Sequence, residues 1–455
     1  MKKKLLYFIG AGVVLAVIVL TLVLLLGEKG YYIKYDPEAD QNHWNTVYQM
    51  SQTSTVENDE NYSGLLSGIR TGLYRQAGSL GQNEFECTDD GVYFMNVYLE
   101  VEDEMMEGVA PYLFYADHNS DTVIKLCGRP DCTHNTLECN AVFLEWDWGI
   151  SYYGGHLYTT KFSYGPELLN LYRMDPDGNN RVKVLDFESI SQGKYTYFDP
   201  TYVLNGVFIA PMTGLGQDTG EKNRDRYYYK LDGSMTQPEL MNLSFQPQEI
   251  AGWIWNDGDS FLYDITVPSD DGATEEWRLY RWYPDTNSDE LIASMPVTEE
   301  NQYIIDRAYW GANNGLAHKD GKILKINYPN CDLEVLFETG ISGENTARFY
   351  PDSIAVIDRR STTSEEPDVI HFYRYNGKHL GEVILDIPNN FGGAILIGES
   401  RDRIYLGSNI MFRGLPNYYI DKSEFGTGNI ELHEMQHPDL TEQERIALFS
   451  AGIPE

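Results

Sequence analysis

The sequence predicts an all-β fold, a β-propeller of about seven blades preceded by one N-terminal transmembrane helix. Three observations predict it. An aromatic-rich strand pattern recurs about every fifty residues, turn signals stand ahead of many of those strands, and an unbroken apolar stretch opens the chain. Tyrosine is abundant at 34 residues and aromatics make up 13% of the 455 residues, which suits strands better than helices.

The apolar stretch runs from Leu5 to Leu26 without a charge or a proline. Roughly 20 apolar residues in a helix span the hydrocarbon core of a bilayer. Lys2, Lys3 and Lys4 precede it, so the positive-inside rule places residues 1–4 in the cytoplasm and everything after the span outside. A cleaved signal peptide would have a shorter apolar region and a small-x-small site, whereas this stretch ends Leu24-Leu25-Leu26-Gly27-Glu28. The expectation is a retained signal-anchor over 5–26 and a cell-membrane, single-pass protein with its C-terminal domain extracytoplasmic.

Residues 27–80 are polar and aperiodic, as in Asp36-Pro37-Glu38-Ala39-Asp40 and Ser51-Gln52-Thr53-Ser54-Thr55. They read as an extracytoplasmic linker.

Residues 81–437 carry the repeat. Its aromatic strands are Leu113–Asp117, Leu171–Asp175, Tyr228–Asp232, Leu279–Tyr283, Ile323–Asn327, Phe372–Asn376 and Tyr418–Asp421. Their starts are 58, 57, 51, 44, 49 and 46 residues apart, which is the size of a four-stranded blade with variable loops. Upstream strands are announced by turns at Asp90-Gly91, Gly155, Asn205-Gly206, Asp259 and Arg403. Long helical periodicity is absent between Gly81 and His437, which counts against an α/β enzyme fold. At 438–455 a capping box, Thr441-Glu442-Gln443-Glu444, predicts a short helical segment packed on the rim.

The unit from Leu171 to Leu185, in which an aromatic strand ends in Asp177-Gly178-Asn179, resembles the repeats of TolB-like propellers. Glu84 to Glu145 resembles the opening of a group of clostridial surface propellers, some with domains similar to the propeller of LDL-receptor-related proteins. That likeness is specific at Leu126-Cys127-Gly128-Arg129-Pro130-Asp131-Cys132-Thr133-His134 and at Cys139-Asn140-Ala141. It implies a fold and a location, and no activity.

The formal charge of −35 excludes a nucleic-acid partner and repels anionic headgroups, so the exported domain is expected to stand off the membrane that residues 5–26 anchor it to. Such acidity serves solubility, with a cation-binding surface as the sharper alternative.

Cys127, Cys132, His134 and Cys139 fall within thirteen residues. Three thiolates and one imidazole complete a tetrahedral zinc set, and a closed set of this kind is structural. An exported domain favours a disulfide instead, within the cluster or to Cys87 or Cys331, and five cysteines leave one thiol over; free thiols are the third reading.

His433-Glu434-Met435-Gln436-His437 matches the zinc-peptidase pattern H-E-x-x-H, in which two histidines one helical turn apart hold the metal. Its context argues for a strand: residues 429–433 alternate, and Pro438 disfavours helix. Gly315–Lys322 has one residue too many for a phosphate loop, and Gly214–Gly220 one too many for a dinucleotide loop. Asp175, Asp177 and Asn179 have calcium-loop spacing but read as a hairpin turn. Trp146, Trp148, Trp253, Trp255, Trp277, Trp282 and Tyr152-Tyr153 are expected to pack between blades, or else to line a ligand platform at one mouth of the ring.

The function expected is a binding, interaction or sensing module for an extracellular glycan, peptide or protein, with no catalytic residue assigned. The alternative is an extracytoplasmic hydrolase, either a peptidase through His433, Glu434 and His437 or a carbohydrate-active propeller.

Overall fold

In the chain's computed structural model, most of residues 85–444 are described. Residues 1–84 and 445–455, together with several loop segments of the repeat domain, lie outside the described residues. The predicted anchor and linker are among those outside. No helix of the described residues is long and apolar enough to cross a membrane.

Seven antiparallel sheets follow one another along the chain, at 85–125, 146–186, 197–240, 255–296, 309–338, 347–385 and 394–434. Each is an up-and-down meander of four strands in sequence order, and the third carries one extra two-residue strand, Tyr197–Phe198. First strands of neighbouring blades approach one another: Phe85–Thr88 meets both Trp146–Tyr153 and Ala394–Glu399. They therefore surround the axis, and the fourth strands lie outermost. This is the predicted seven-bladed propeller.

The hydrophobic core is not one body but seven, and each cluster lies between two successive blades. A blade in such a ring buries both faces, so its middle strands lose the polar-out alternation of a half-exposed sheet. The third strand of blade 4, Glu275–Tyr283, shows the consequence. Trp277 and Leu279 pack toward blade 5, while Tyr280 and Trp282 pack toward blade 3, after a register shift between Leu279 and Tyr280. Trp277 and Trp282 are both fully buried, so of the two roles expected for them blade packing is the one observed.

All seven aromatic segments named from the sequence are third strands, and the turn-announced segments upstream are second strands. Outer strands are the most exposed, as in Asp332–Glu338, where Leu333 and Val335 face water and only Leu336 and Phe337 are partly covered by the core between blades 5 and 6. One helix, α1 (Glu299–Arg307), was not expected. Thr298 caps it, its hydroxyl accepting from the Asn301 N–H at 3.1 Å, and Ile304 and Ile305 bury it against the junction of blades 4 and 5.

The ends of the ring share no strand, because each blade is continuous in sequence. Closure falls instead to the segment after blade 7. The Gln436 N–H donates to Asp121 O at 2.6 Å, and the Val123 N–H donates to Gln436 O at 2.7 Å, beside the outer strand of blade 1. Met435 and Leu440 enter the core of blade 1 together with Tyr405 of blade 7. Lys125 then binds twice, its N–H to Asp439 at 2.9 Å and its ammonium to Glu444 at 3.0 Å. The expected capping box is present as a reciprocal pair: the Thr441 N–H donates to Glu444 at 2.7 Å and the Glu444 N–H to Thr441 Oγ1 at 3.2 Å. One carboxylate thus caps the C-terminal segment and ties it to blade 1.

Candidate metal centre

After the outer strand of blade 1 (Val123–Lys125) the chain makes an excursion and returns to the same place. Its base is fixed by backbone bonds to the third strand: Leu126 N–H to Leu113 O and Leu113 N–H to Ala141 O, both 2.8 Å, and Phe143 N–H to Pro111 O at 3.0 Å. Between these points the described residues of 127–140 contain no helix or strand. A loop of that kind needs another fastening; one is visible, and a cluster of side chains suited to a second lies beside it.

The first is the turn of blade 2 between its third and fourth strands. Gly128 N–H donates to Asp177 O at 3.2 Å, and Arg181 donates to Asn140 O at 2.8 Å while its guanidinium lies 3.9 Å over the Phe143 ring. Gly128 lets the turn approach closely: a Cβ there would stand 2.3 Å from Asn179 Nδ2, so the Asn179 side chain would have to move. The turn itself is a tight hairpin with Gly178 at φ 79° and Asn180 at φ 52°, so Asp175, Asp177 and Asn179 serve the turn.

The cluster suited to a second fastening is the cysteine–histidine set. The ligand atoms of Cys127, Cys132, His134 and Cys139 all lie within 4.8 Å of one another. The His134 Nδ1 stands 3.5 Å from Cys139 Sγ. Backbone N–H groups two residues on reach the sulfurs: His134 N–H to Cys132 and Ala141 N–H to Cys139, each at 3.4 Å. His134 adopts φ 58°, which turns the chain tightly enough for its N–H and its ring to face the same sulfur group.

These donors set the protonation of the thiols. Burial works to raise the Cys127 pKa, but hydrogen bonds from the Arg129 and Asn140 backbone and from the neighbouring thiols bring it below its ordinary value. Burial pushes the Cys139 thiol up to about 12. Cys127 is thus the more readily ionised of the two sulfurs and Cys139 the less, as expected where several acidic groups share one small volume.

The donor set fits zinc. In a tetrahedral site with Zn–S near 2.3 Å and Zn–N near 2.0–2.1 Å, ligand atoms are separated by about 3.3–3.8 Å, so no pair of the four need draw in by more than about 1 Å. Cys127 and Cys132 also pack against the blade 1 core, as partly buried members beside the buried Cys139. The four described cysteines form no disulfide. Cys331 lies apart, buried between blades 4 and 5, where burial and then Asp332 push its thiol up to about 12. The Cys87 side chain lies outside the described residues.

The H-E-x-x-H residues are not on a helix. His433 and Glu434 form the outer strand of blade 7, where His433 Nε2 stands 2.7 Å from Glu424 and the ring stacks on Tyr419 at 4.9 Å. His437 is buried with its Nε2 3.0 Å from Pro416 O. Residues four apart in extended chain are separated by about 13 Å, so the two imidazoles cannot share an ion as they would one helical turn apart. The peptidase constellation considered from the sequence does not form.

No protein-family model and no curated protein sequence matches the chain. Among solved structures it is similar to the uncomplexed acylaminoacyl peptidase of Pyrococcus horikoshii, at 9% identity and a TM-score of 0.41 over 78% of this chain and 52% of that one. It is also similar to the propeller domain of the trilobed protease of Pyrococcus furiosus, at 8% identity and a TM-score of 0.39 over 78% and 99%. An oligogalacturonate lyase in complex with manganese matches at 11% identity and a TM-score of 0.35 over 59% and 70%. The chain spans about half the length of the peptidase. These likenesses are of architecture and extend to no residue; the seven sheets of this chain establish the propeller by themselves.

Proposed function

We propose that the chain is a membrane-tethered propeller that displays a metal-pinned loop to extracytoplasmic ligands, acting as a binding or interaction module. The observation that carries this reading is the completeness of the cysteine–histidine set, because all four ligands come from the protein. A zinc held by Cys127, Cys132, His134 and Cys139 has no open position for water or substrate, so its role is to hold the loop. When bound, such an ion supplies folding energy and fixes the thiolate state of its ligands. The loop it holds lies on the junction of blades 1 and 2, with Arg129 and Asn135 half-buried and Thr133 exposed. The tether is the apolar span Leu5–Leu26 with Lys2, Lys3 and Lys4 on its cytoplasmic side, and the charge of −35 keeps the propeller clear of anionic lipid.

The test uses the full chain in detergent against arrays of cell-wall glycans and peptides. Binding that is retained by the native protein and weakened in a folded C139S variant supports the reading. Turnover of a glycan or peptide that survives C139S would replace it with a hydrolase. Carbonate extraction of cell membranes tests the tether: the chain stays in the pellet, and release into the soluble fraction would contradict it.

A further inference from the structure

The outer hairpin of blade 6 brings together a second set of metal-ligating side chains. His371 lies on the third strand (Asp368–Tyr373), and His379 and Glu382 lie on the outer strand (His379–Leu385). His371 pairs across the ladder with Glu382, and Tyr373 with His379, so all lie on one face. Strict alternation would put residues 379 and 382 on opposite faces. A register shift beside Phe372 and Tyr373 leaves an extra residue on the outer strand and turns His379 round to join Glu382.

Packing holds that bulge in place. Leu380 is buried in the core between blades 6 and 7, where Ile430 of blade 7 also lies. Gly381 sits at φ 139°, strained for any other residue, and a Cβ there would stand 2.6 Å from Ile430 Cδ1 and force that side chain to shift. The result is that the ligand atoms of His371, His379 and Glu382 all lie within 4.8 Å of one another. His371 Nδ1 is 3.3 Å from Glu382 Oε2, and the two imidazole rings are 5.8 Å apart. A cross-strand ion pair would need His371 and Glu382 alone; the bulge supplies a third ligand that such a pair does not use.

We propose that His371, His379 and Glu382 form a second, solvent-open site for a borderline divalent cation such as zinc, separate from the cysteine–histidine centre. Two imidazoles and one carboxylate are the donors such ions prefer, and three protein ligands leave positions for water or for a group on a partner. His371 is half-buried and anchors the site, while His379 and Glu382 reach it from the exposed strand. The site is exchangeable, in contrast to the closed set on blade 1. It stands whether or not the cysteine–histidine centre holds metal.

The experiment is a Zn2+ titration of the full chain, after a weak chelator has removed loosely held metal. The native protein takes up one exchangeable equivalent. H379A and E382Q, at exposed positions that leave the fold intact, weaken that equivalent by at least about tenfold, given that even outer-shell changes cost 10–100-fold. C139S keeps it. A titration with no exchangeable equivalent would overturn the proposal, and so would one whose affinity H379A and E382Q leave unchanged.

Discussion

Among the contacts that close the ring is an ion pair whose removal has a calculable effect. The Lys125 ammonium and Glu444 carboxylate are 3.0 Å apart, with side-chain exposures of 5% and 17%. At an effective dielectric near 20 their attraction is about 5 kcal/mol, much of it offset by the desolvation of both groups. In E444Q the amide keeps the capping box but removes the charge, leaving a buried ammonium. Breaking a buried pair from one side costs about 3–5 kcal/mol. The ammonium keeps its place 5.0 Å over the Tyr112 ring, so it is not left wholly uncompensated and a cost at the low end of that range, about 3 kcal/mol, is expected. The double variant K125M/E444Q removes both charges and recovers all but about 1 kcal/mol. Urea unfolding followed by tryptophan fluorescence measures both, and roughly 6 °C is the matching loss in Tm at about 2 °C per kcal/mol. An E444Q cost below about 1 kcal/mol, or a double variant no better than E444Q, would refute closure through this segment.

Three other outcomes follow from the same structure. Glu399 is completely buried and its pKa is raised from 4.5 to about 7, chiefly by desolvation, against the pull of Lys422. A raised folded-state pKa contributes stability below pH 4.5 that is lost as pH rises through 7, so native stability relative to E399Q falls by about 3 kcal/mol between pH 4 and pH 8, measured by urea midpoints; a flat difference contradicts this. C139S, with zinc removed, exposes residues 127–140 to limited proteolysis while blade 4 tryptophan fluorescence stays native, whereas C331S, far from the loop, leaves cleavage there unchanged; global unfolding of C139S would show that the loop supports the whole ring. H433A and H437A leave the tightly held metal content unchanged, and a loss of metal in either would restore the peptidase reading.

The residues that were legible are those whose environment is set by their own blade. Third strands such as Lys222–Lys230 must fill two interfaces at once, so they carry aromatics such as Tyr227, Tyr228 and Tyr229 and can be read directly. Outer strands such as Asp332–Glu338 face water and carry no such mark. The helix Glu299–Arg307 was missed because its buried face amounts to little more than Ile304 and Ile305. Ring closure through Met435 and Leu440 is a contact over some three hundred residues, beyond any local pattern. The cysteine–histidine cluster was legible because its ligands are close in sequence. The blade 6 set was not, since periodicity puts His379 and Glu382 on opposite faces until the bulge is known. H-E-x-x-H shows the converse: a pattern defined by helix spacing loses its meaning when the backbone is extended.

The claim on which the functional reading depends is that Cys127, Cys132, His134 and Cys139 bind one ion together. Zinc K-edge absorption on the chelator-treated full chain tests it. The expected first shell is three sulfurs near 2.3 Å and one nitrogen near 2.0–2.1 Å, at about one zinc per chain, and C139S abolishes it. A shell of oxygen and nitrogen alone, or chains free of zinc with two of these thiols bridged, would contradict it.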